Sequence, residues 1–251
     1  MHDHPIAAAA LEVLLDASAG MSVESALVLE SATYSTLQAG PEHHAWLAAR
    51  PRRERVEAGD VVLVSRTEGT LRLTLNRPQV RNAFNAAMRE ALLDGLMIAR
   101  VDSTVDQVVI DGAGANFCSG GDLDEFGTLD DPASAHLLRV ERNVGRAVHE
   151  LRERVTVVVH GTCIGAGVEI PAFAGRVVAR PDATFRLPEI GMGLVPGAGG
   201  TVSIPRRIGR ERFRSLALTG AMIDAPTALS WGLVDEISPS KSSALRHTSV
   251  S

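Results

Sequence analysis

The sequence predicts an α/β protein, and three observations carry that expectation. From Val61 onward, short runs rich in β-branched residues alternate with longer segments whose apolar residues recur at helical spacing. Glycine-rich turns sit at the ends of those runs. The first 58 residues hold no strand-like run and read as helix, which divides the chain into a helical arm (1–58), a core (59–238) and a polar tail (239–251).

In the arm, "AAAALEVLLDASAG" and "SVESALVLESATYSTLQAG" carry the 3.6-residue period, with Gly20 and Gly40 as stops. "GPEHHAWLAARPRRER" follows and ends in a basic, proline-containing linker; His43 and His44 are expected on a surface turn. "VVLVSRTEGTLRLTLNRP" reads as a hairpin around "TEGT". "NAFNAAMREALLDGLMIARVD" is a helix and "DQVVIDG" a short buried strand. "DPASAHLLRVERNVGRAVHELRER" is expected to form one long amphipathic helix, with Asp131 or Ser134 near its cap. "VTVVVHG" is a strand, "TCIGAGVEIPAFAG" a glycine-led helix, and "RVVARPDATFRLPEI" two short strands before the loop "GMGLVPGAGGT".

Composition narrows the function classes. A chain of 251 residues builds one sizeable core. Its 45% apolar and 22% charged residues are ordinary for a globular protein. A net charge of −5 argues against a nucleic-acid surface. Nothing approaches the ~20 apolar residues of a membrane span, and the apolar N-terminal stretch lacks a basic leader and is interrupted by Glu12 and Asp16. Two cysteines, Cys118 and Cys163, fit neither a disulfide scaffold nor metal-ligand spacing. No nucleic acid, membrane or metal is therefore expected as a partner, and the cytoplasm is the expected compartment. Lys241 is the only lysine, a poor position for Schiff-base or phosphate-loop chemistry.

Two glycine loops carry the chemistry. "GAGANFCSGGD" (112–122) looks like a phosphate loop but has no Lys and no Ser or Thr where a triphosphate and its metal would be held. "HGTCIGAGVE" places a strand end, then glycines, then a helix start near Gly165 or Ala166. A first helical turn has free N–H groups and the positive end of the helix dipole. If Gly120–Gly121 faces it, two N–H groups from separate loops grip one oxygen, as an oxyanion hole does. Either loop alone is better explained by tight turns. Glu169 and Glu189 add two acids that could handle the two protons of a water molecule. Taken singly, Glu169 also reads as a helix N-terminal acid and Glu189 as a solvated loop acid.

Taken together, "LTLNRPQVRNAFNAAMREAL", "GAGANFCSGGDLDEF", "HGTCIGAGVEIPAFAG", "FRLPEIGMGLVPGAGGT" and "ALTGAMIDAPTALSWGLVDEI" resemble, in order and spacing, the enoyl-CoA hydratase/isomerase (crotonase) superfamily from about Val61 to Ile237. The resemblance implies a crotonase-like spiral of ββα units, here with a helical N-terminal extension. It implies an acyl-CoA thioester whose carbonyl is held by the N–H groups of Gly121 and Ala166. It matches the two hydratase glutamates to Glu169 and Glu189, and CoA contacts to Ala83, Gly121, Asp122, Leu123 and Ala166, mostly through backbone atoms. The implied activity is hydration of 2-enoyl-CoA, with coenzyme A as part of the substrate and no separate cofactor. A Δ3–Δ2-enoyl-CoA isomerase, another enolate-forming lyase, or a non-catalytic acyl-CoA-binding subunit are the alternatives. A homotrimer or hexamer is implied as well.

Two departures stand out. Pro171, two residues after Glu169, lacks an N–H where the family continues a helix and is expected to tilt Glu169. Family members usually continue past "GLVDEI" with helices that cover the acyl pocket. In this chain "ESALVLESATYSTLQAGPEHHAWLAARPRRE" resembles that terminal piece, so segment 1–58 is expected either to dock as a permuted cap or to serve as an unrelated oligomerisation arm.

Overall fold

The computed structural model describes residues 3–50, 59–129 and 131–239. The basic linker from 51 to 58 and the tail from 240 onward, with Lys241, lie outside the described residues. Three helices open the chain: α1 (Pro5–Ala17), α2 (Val23–Gln38) and α3 (Pro41–Ala48). Ser22 starts α2 by accepting the Ser25 N–H (3.2 Å), and a proline sits in the first turn of α1 and of α3, where its missing N–H costs nothing.

The hairpin forms as expected. β1 (Val62–Thr67) and β2 (Thr70–Leu75) pair antiparallel, Val62 opposite Leu75. β2 alternates buried and half-buried residues, as a strand covered on one face should. α4 (Ala86–Val101) is capped by the Asn85 side chain on Met88 N–H (2.9 Å) and crosses over to β3 (Gln107–Gly112), which lies parallel to β2.

The expected long helix is in fact two, α5 (Pro132–Glu141) and α6 (Val144–Glu150). Asp131 caps α5 through the Ala133 and Ser134 N–H groups. The break has a physical cause at Asn143. Its side chain accepts the Arg146 N–H (2.8 Å) and restarts the helix, and Gly145 then packs so closely on Phe173 that a Cβ there would lie 2.5 Å from its ring.

β4 (Val155–Val159), buried along its whole length, joins β3 in parallel. β5 (Thr162–Ile164) follows, then α7 (Ala166–Glu169), β6 (Arg176–Ala179) and β7 (Thr184–Arg186). The helix expected from "GAGVEIPAFAG" is only the single turn of α7. Pro171 has no N–H to continue it, and the chain tightens into a 3₁₀ turn at Pro171–Phe173. α8 (Gly200–Ile208), α9 (Arg210–Thr219), β8 (Ile223–Asp224), α10 (Ala225–Trp231) and β9 (Glu236–Ile237) complete the order.

Two sheets result. One runs β1-β2-β3-β4-β6-β9, parallel except for the first pair, and the other runs β5-β7-β8. Two windings of the chain give one strand to the large sheet and the next to the small one: β4 then β5, β6 then β7. β3 does the same, because Cys118 bridges in parallel to Cys163 of β5. That repeated strand–strand–helix step is the ββα spiral. Among the described residues no helix is long and apolar enough to cross a membrane.

The arm is bonded onto this spiral. α2 meets α5 through Arg139, which donates to Gln38 Oε1 (3.0 Å) and to Ser35, and through Ser35 Oγ donating to the Pro132 carbonyl (2.9 Å). α1 reaches α9 through Arg214 to Glu12 and Arg210 to Asp16. α3 places the His43 ring, not on a surface turn as its sequence suggests but buried, with Nδ1 2.9 Å from the Met192 carbonyl.

Candidate active site

The site begins where the two glycine loops are stitched together. Cys118 N–H donates to the Thr162 carbonyl (3.3 Å) and Ile164 N–H to the Cys118 carbonyl (3.0 Å), while Phe84 N–H donates to the Gly120 carbonyl (2.8 Å). These bonds bring Gly121 beside the start of α7. Both cysteines are buried at this junction, and burial pushes the Cys118 thiol up to about 12.

Gly121, Ala166, Glu169 and Glu189 line one cavity of about 190 Å³, with Leu123 and Tyr34 among its walls. Among the described residues no backbone carbonyl accepts the Gly121 or Ala166 N–H, and Ala166 is the first residue of α7, where an N–H has no intrahelical acceptor. Gly165 precedes it at φ 49° and ψ −118°, a conformation that needs glycine. A Cβ there would strike Glu189 Oε1 and lie 3.7 Å from Glu169 Oε1, so the two carboxylates flank this one residue.

The acids are held differently. Glu169 is 2% exposed, and its Oε2 accepts the Ala198 N–H (2.7 Å) and the Gly200 N–H (2.9 Å). Burial raises its pKa to about 7, against the pull of those two donors. Glu189 Oε2 is buried and has no hydrogen-bond partner among the described residues. Burial first, and the neighbouring Glu169 charge second, hold its carboxyl well above the usual range.

An adjoining cavity of about 570 Å³ shares Gly121 and Leu123 with the first and is lined also by Ala83, Asp122, Arg50 and Arg81. Ala83 and Asp122 thus stand outside the acid-lined cavity. The Asp122 carboxylate faces the buried Arg77 guanidinium (2.8 Å), and its N–H donates to the Phe84 carbonyl (2.8 Å). Arg77 also donates to the Ala83 carbonyl, so one cation ties the "NAF" and "SGGD" stretches together. His160, which follows β4, is packed with Nε2 3.0 Å from the Gly114 carbonyl. Among the described residues no cluster of three or more His, Cys, Asp or Glu could hold a metal ion.

Sequence reasoning missed two residues here. Tyr34, the chain's only tyrosine, forms a wall of the cavity from α2, with the Arg139 guanidinium 4.8 Å from its ring centroid. Glu30, one turn earlier, is another buried acid, also 2% exposed. The available signal was its place in the stripe Ala26, Leu27, Glu30, Tyr34, Leu37, where a carboxylate interrupts an otherwise inward-facing row.

Comparison with known proteins shows the family. Residues 65–250 match a family model described as enoyl-CoA hydratase/isomerase. The chain is 36% identical over 179 residues to a 2,3-dehydroadipyl-CoA hydratase of Escherichia coli, covering 71% of this chain and 69% of that one. It is 34% identical to a 1,2-epoxyphenylacetyl-CoA isomerase of the same bacterium, covering 68% and 66%. Among solved structures, an enoyl-CoA hydratase from Thermoplasma volcanium superposes with a TM-score of 0.69 at 32% identity, covering 74% of this chain and 75% of that one.

Proposed function

Because the chain belongs to the enoyl-CoA hydratase/isomerase family, we propose that it hydrates 2-enoyl-CoA to 3-hydroxyacyl-CoA. The observation that carries this reading is the pair of carboxylates flanking Gly165, Glu169 buried and Glu189 half-buried with a buried Oε2, beside two N–H groups that no backbone carbonyl takes among the described residues. The thioester carbonyl accepts from the Gly121 and Ala166 N–H groups. Ionised Glu169 takes one proton of a water as its oxygen bonds to Cβ. The C=C electron pair moves toward Cα, and the negative charge collects on the thioester oxygen as an enolate stabilised by the two donors. Protonated Glu189 then delivers its proton to Cα, completing a syn addition. The two carboxylates end with exchanged protonation states, and a proton passing between them or through solvent resets the site.

Ala83, Asp122 and Leu123 are proposed to contact coenzyme A from the adjoining cavity. The helical arm, which contributes Tyr34 to the wall of the acid-lined cavity, is proposed to cap the acyl group as a permuted counterpart of the family's terminal helices. A cytoplasmic homotrimer or hexamer remains the proposed form, with exposed Leu63, Val64, Met97 and Val101 available for contact between copies.

The test is loss of the conjugated enoyl-thioester absorbance when the protein is mixed with crotonyl-CoA and longer 2-enoyl-CoAs. Rapid loss with formation of the 3-hydroxyacyl product is expected. Movement of a 3-enoyl double bond without water addition points instead to an isomerase. Acyl-CoA binding with no turnover of any enoyl-CoA points to a binding subunit.

A further inference from the structure

The turn that leads into α8 is gripped from two sides. Its successive N–H groups alternate: Ala198 and Gly200 donate to Glu169 Oε2 (2.7 and 2.9 Å), whereas Gly199 donates to Glu30 Oε1 (2.7 Å) and Thr201 to Glu30 Oε2 (2.9 Å). The Thr201 hydroxyl donates to Glu30 Oε2 as well (2.6 Å). Gly199 holds this alternation at φ +101°, and a Cβ there would strike Phe173 and lie 3.3 Å from Leu27 of α2, so the arm packs directly on the turn.

We infer that Glu30, supplied by the helical arm, is a positioning residue that locks the 198–201 turn so that its alternate N–H groups orient the Glu169 carboxylate toward the cavity. The inference rests on the proposed role of Glu169. Three donors converge on the two Glu30 oxygens, so both oxygens serve as acceptors and an amide nitrogen at either place would face an N–H. The arrangement places like charge near like charge. Glu169 on α7 raises the Glu30 carboxyl, as burial does still more, and Glu189, Tyr34 and Arg139 are the other titrating or charged groups in the neighbourhood. A purely structural cap for α8 would need neither the alternation nor a carboxylate shared with the site. Here the bonds that Glu30 accepts fix Gly199 and Thr201, and the intervening Gly200 N–H is thereby turned to Glu169.

The test is Glu30→Asp, which keeps the carboxyl group and withdraws it by one methylene. A misplacement near 1 Å is expected to lower kcat about 10- to 100-fold, with KM within about threefold because uniform binding is untouched. The acidic limb of kcat/KM moves to higher pH, since Glu169 loses the donors that hold it ionised. In a Glu169→Gln background the same change has no further effect, as for two residues that act through one group. Equal losses in both backgrounds, or an unmoved acidic limb, overturn the inference. If Glu30→Asp does not fold, Thr201→Val removes one donor and keeps both backbone N–H groups; a smaller loss with the same dependence on Glu169 is expected, and an additive loss rejects the idea. A ¹³C titration of the Glu169 carboxyl in wild type and Glu30→Asp separates this inference from the proposed reaction. A wild type that hydrates no enoyl-CoA rejects the reaction, whereas a Glu169 midpoint unchanged by Glu30→Asp rejects the clamp whatever the reaction is.

Discussion

Glu169 and Glu189 face one cavity across a single glycine, yet the protein solvates them in opposite ways. Glu169 receives two backbone N–H groups from the 198–200 turn, and Glu189 leaves a buried oxygen with no partner among the described residues. Donors stabilise the charged form of an acid, and bare burial stabilises the neutral form. The difference is what supports the proposed roles, in which Glu169 accepts a proton as an anion and Glu189 holds one and gives it. Two carboxylates of the same type are separated in function by what surrounds them.

The largest effect expected from this contrast is on rate. Glu169→Gln and Glu189→Gln should each lower turnover of a 2-enoyl-CoA by about two to four orders of magnitude, the range of general acid–base catalysis. The pH dependence says which residue does what. Wild-type kcat/KM is expected to fall below about pH 7 as Glu169 becomes protonated, and to fall again at higher pH as Glu189 loses its proton. The residual rate of Glu169→Gln should lack the acidic limb and that of Glu189→Gln the alkaline one. The limbs belong to the coupled acids as a set, but exchanging which variant loses which limb would reverse the roles assigned here.

A smaller effect sharpens the same contrast by disturbing one acid and sparing the other. A Cβ on Gly200 would lie 2.6 Å from Glu169 Cγ and 2.7 Å from Oε2. Gly200→Ala is therefore expected to push Glu169 aside and lower kcat about 10- to 100-fold, while the alkaline limb set by Glu189 stays in place. Steady-state kinetics across pH check this. A loss of the alkaline limb instead would mean that the two acids share one support.

The sequence made some of this contrast legible and left the rest hidden, for physical reasons. The glycine loops, both acids and most strands could be read because tight turns and buried strands leave local signatures in glycine and β-branched residues. The spiral itself came from resemblance, and its two sheets follow from parallel pairings between distant segments that no local pattern encodes. The long helix over 131–154 was misread because helical periodicity continues through Arg142 and Asn143, while the break depends on an Asn143 cap and on Gly145 against Phe173. Pro171 was a local signal, and it does shorten the helix after Glu169. His43 was placed at the surface because its partner, the Met192 carbonyl, lies 149 residues away. Glu30 was missed for the same reason: nothing near it in sequence shows that the backbone of Gly199 and Thr201 will satisfy it.

The smallest effect concerns stability, and it turns on the sign of the shifts. Glu30, Glu169 and Glu189 all have carboxyls raised in the folded state, to about 8 and about 7 for the first two. In the unfolded chain each titrates near 4.5. Between those limits the folded protein binds more protons than the unfolded one, so the slope of stability against pH is negative. Their contribution is most favourable at or below pH 4.5 and is lost as pH rises through about 7 to 8. Thermal melts from pH 5 to pH 8 should therefore show a falling Tm from this trio. Glu189→Gln should flatten the curve most, because it removes the raised carboxyl that lacks donors and leaves a neutral side chain in its place. Glu169→Gln should flatten it less, since the Ala198 and Gly200 N–H groups already hold the Glu169 carboxyl below where burial alone would put it. Equal flattening by the two variants would show that the turn donors leave no mark on the free energy, and the contrast between the acids would then rest on kinetics alone.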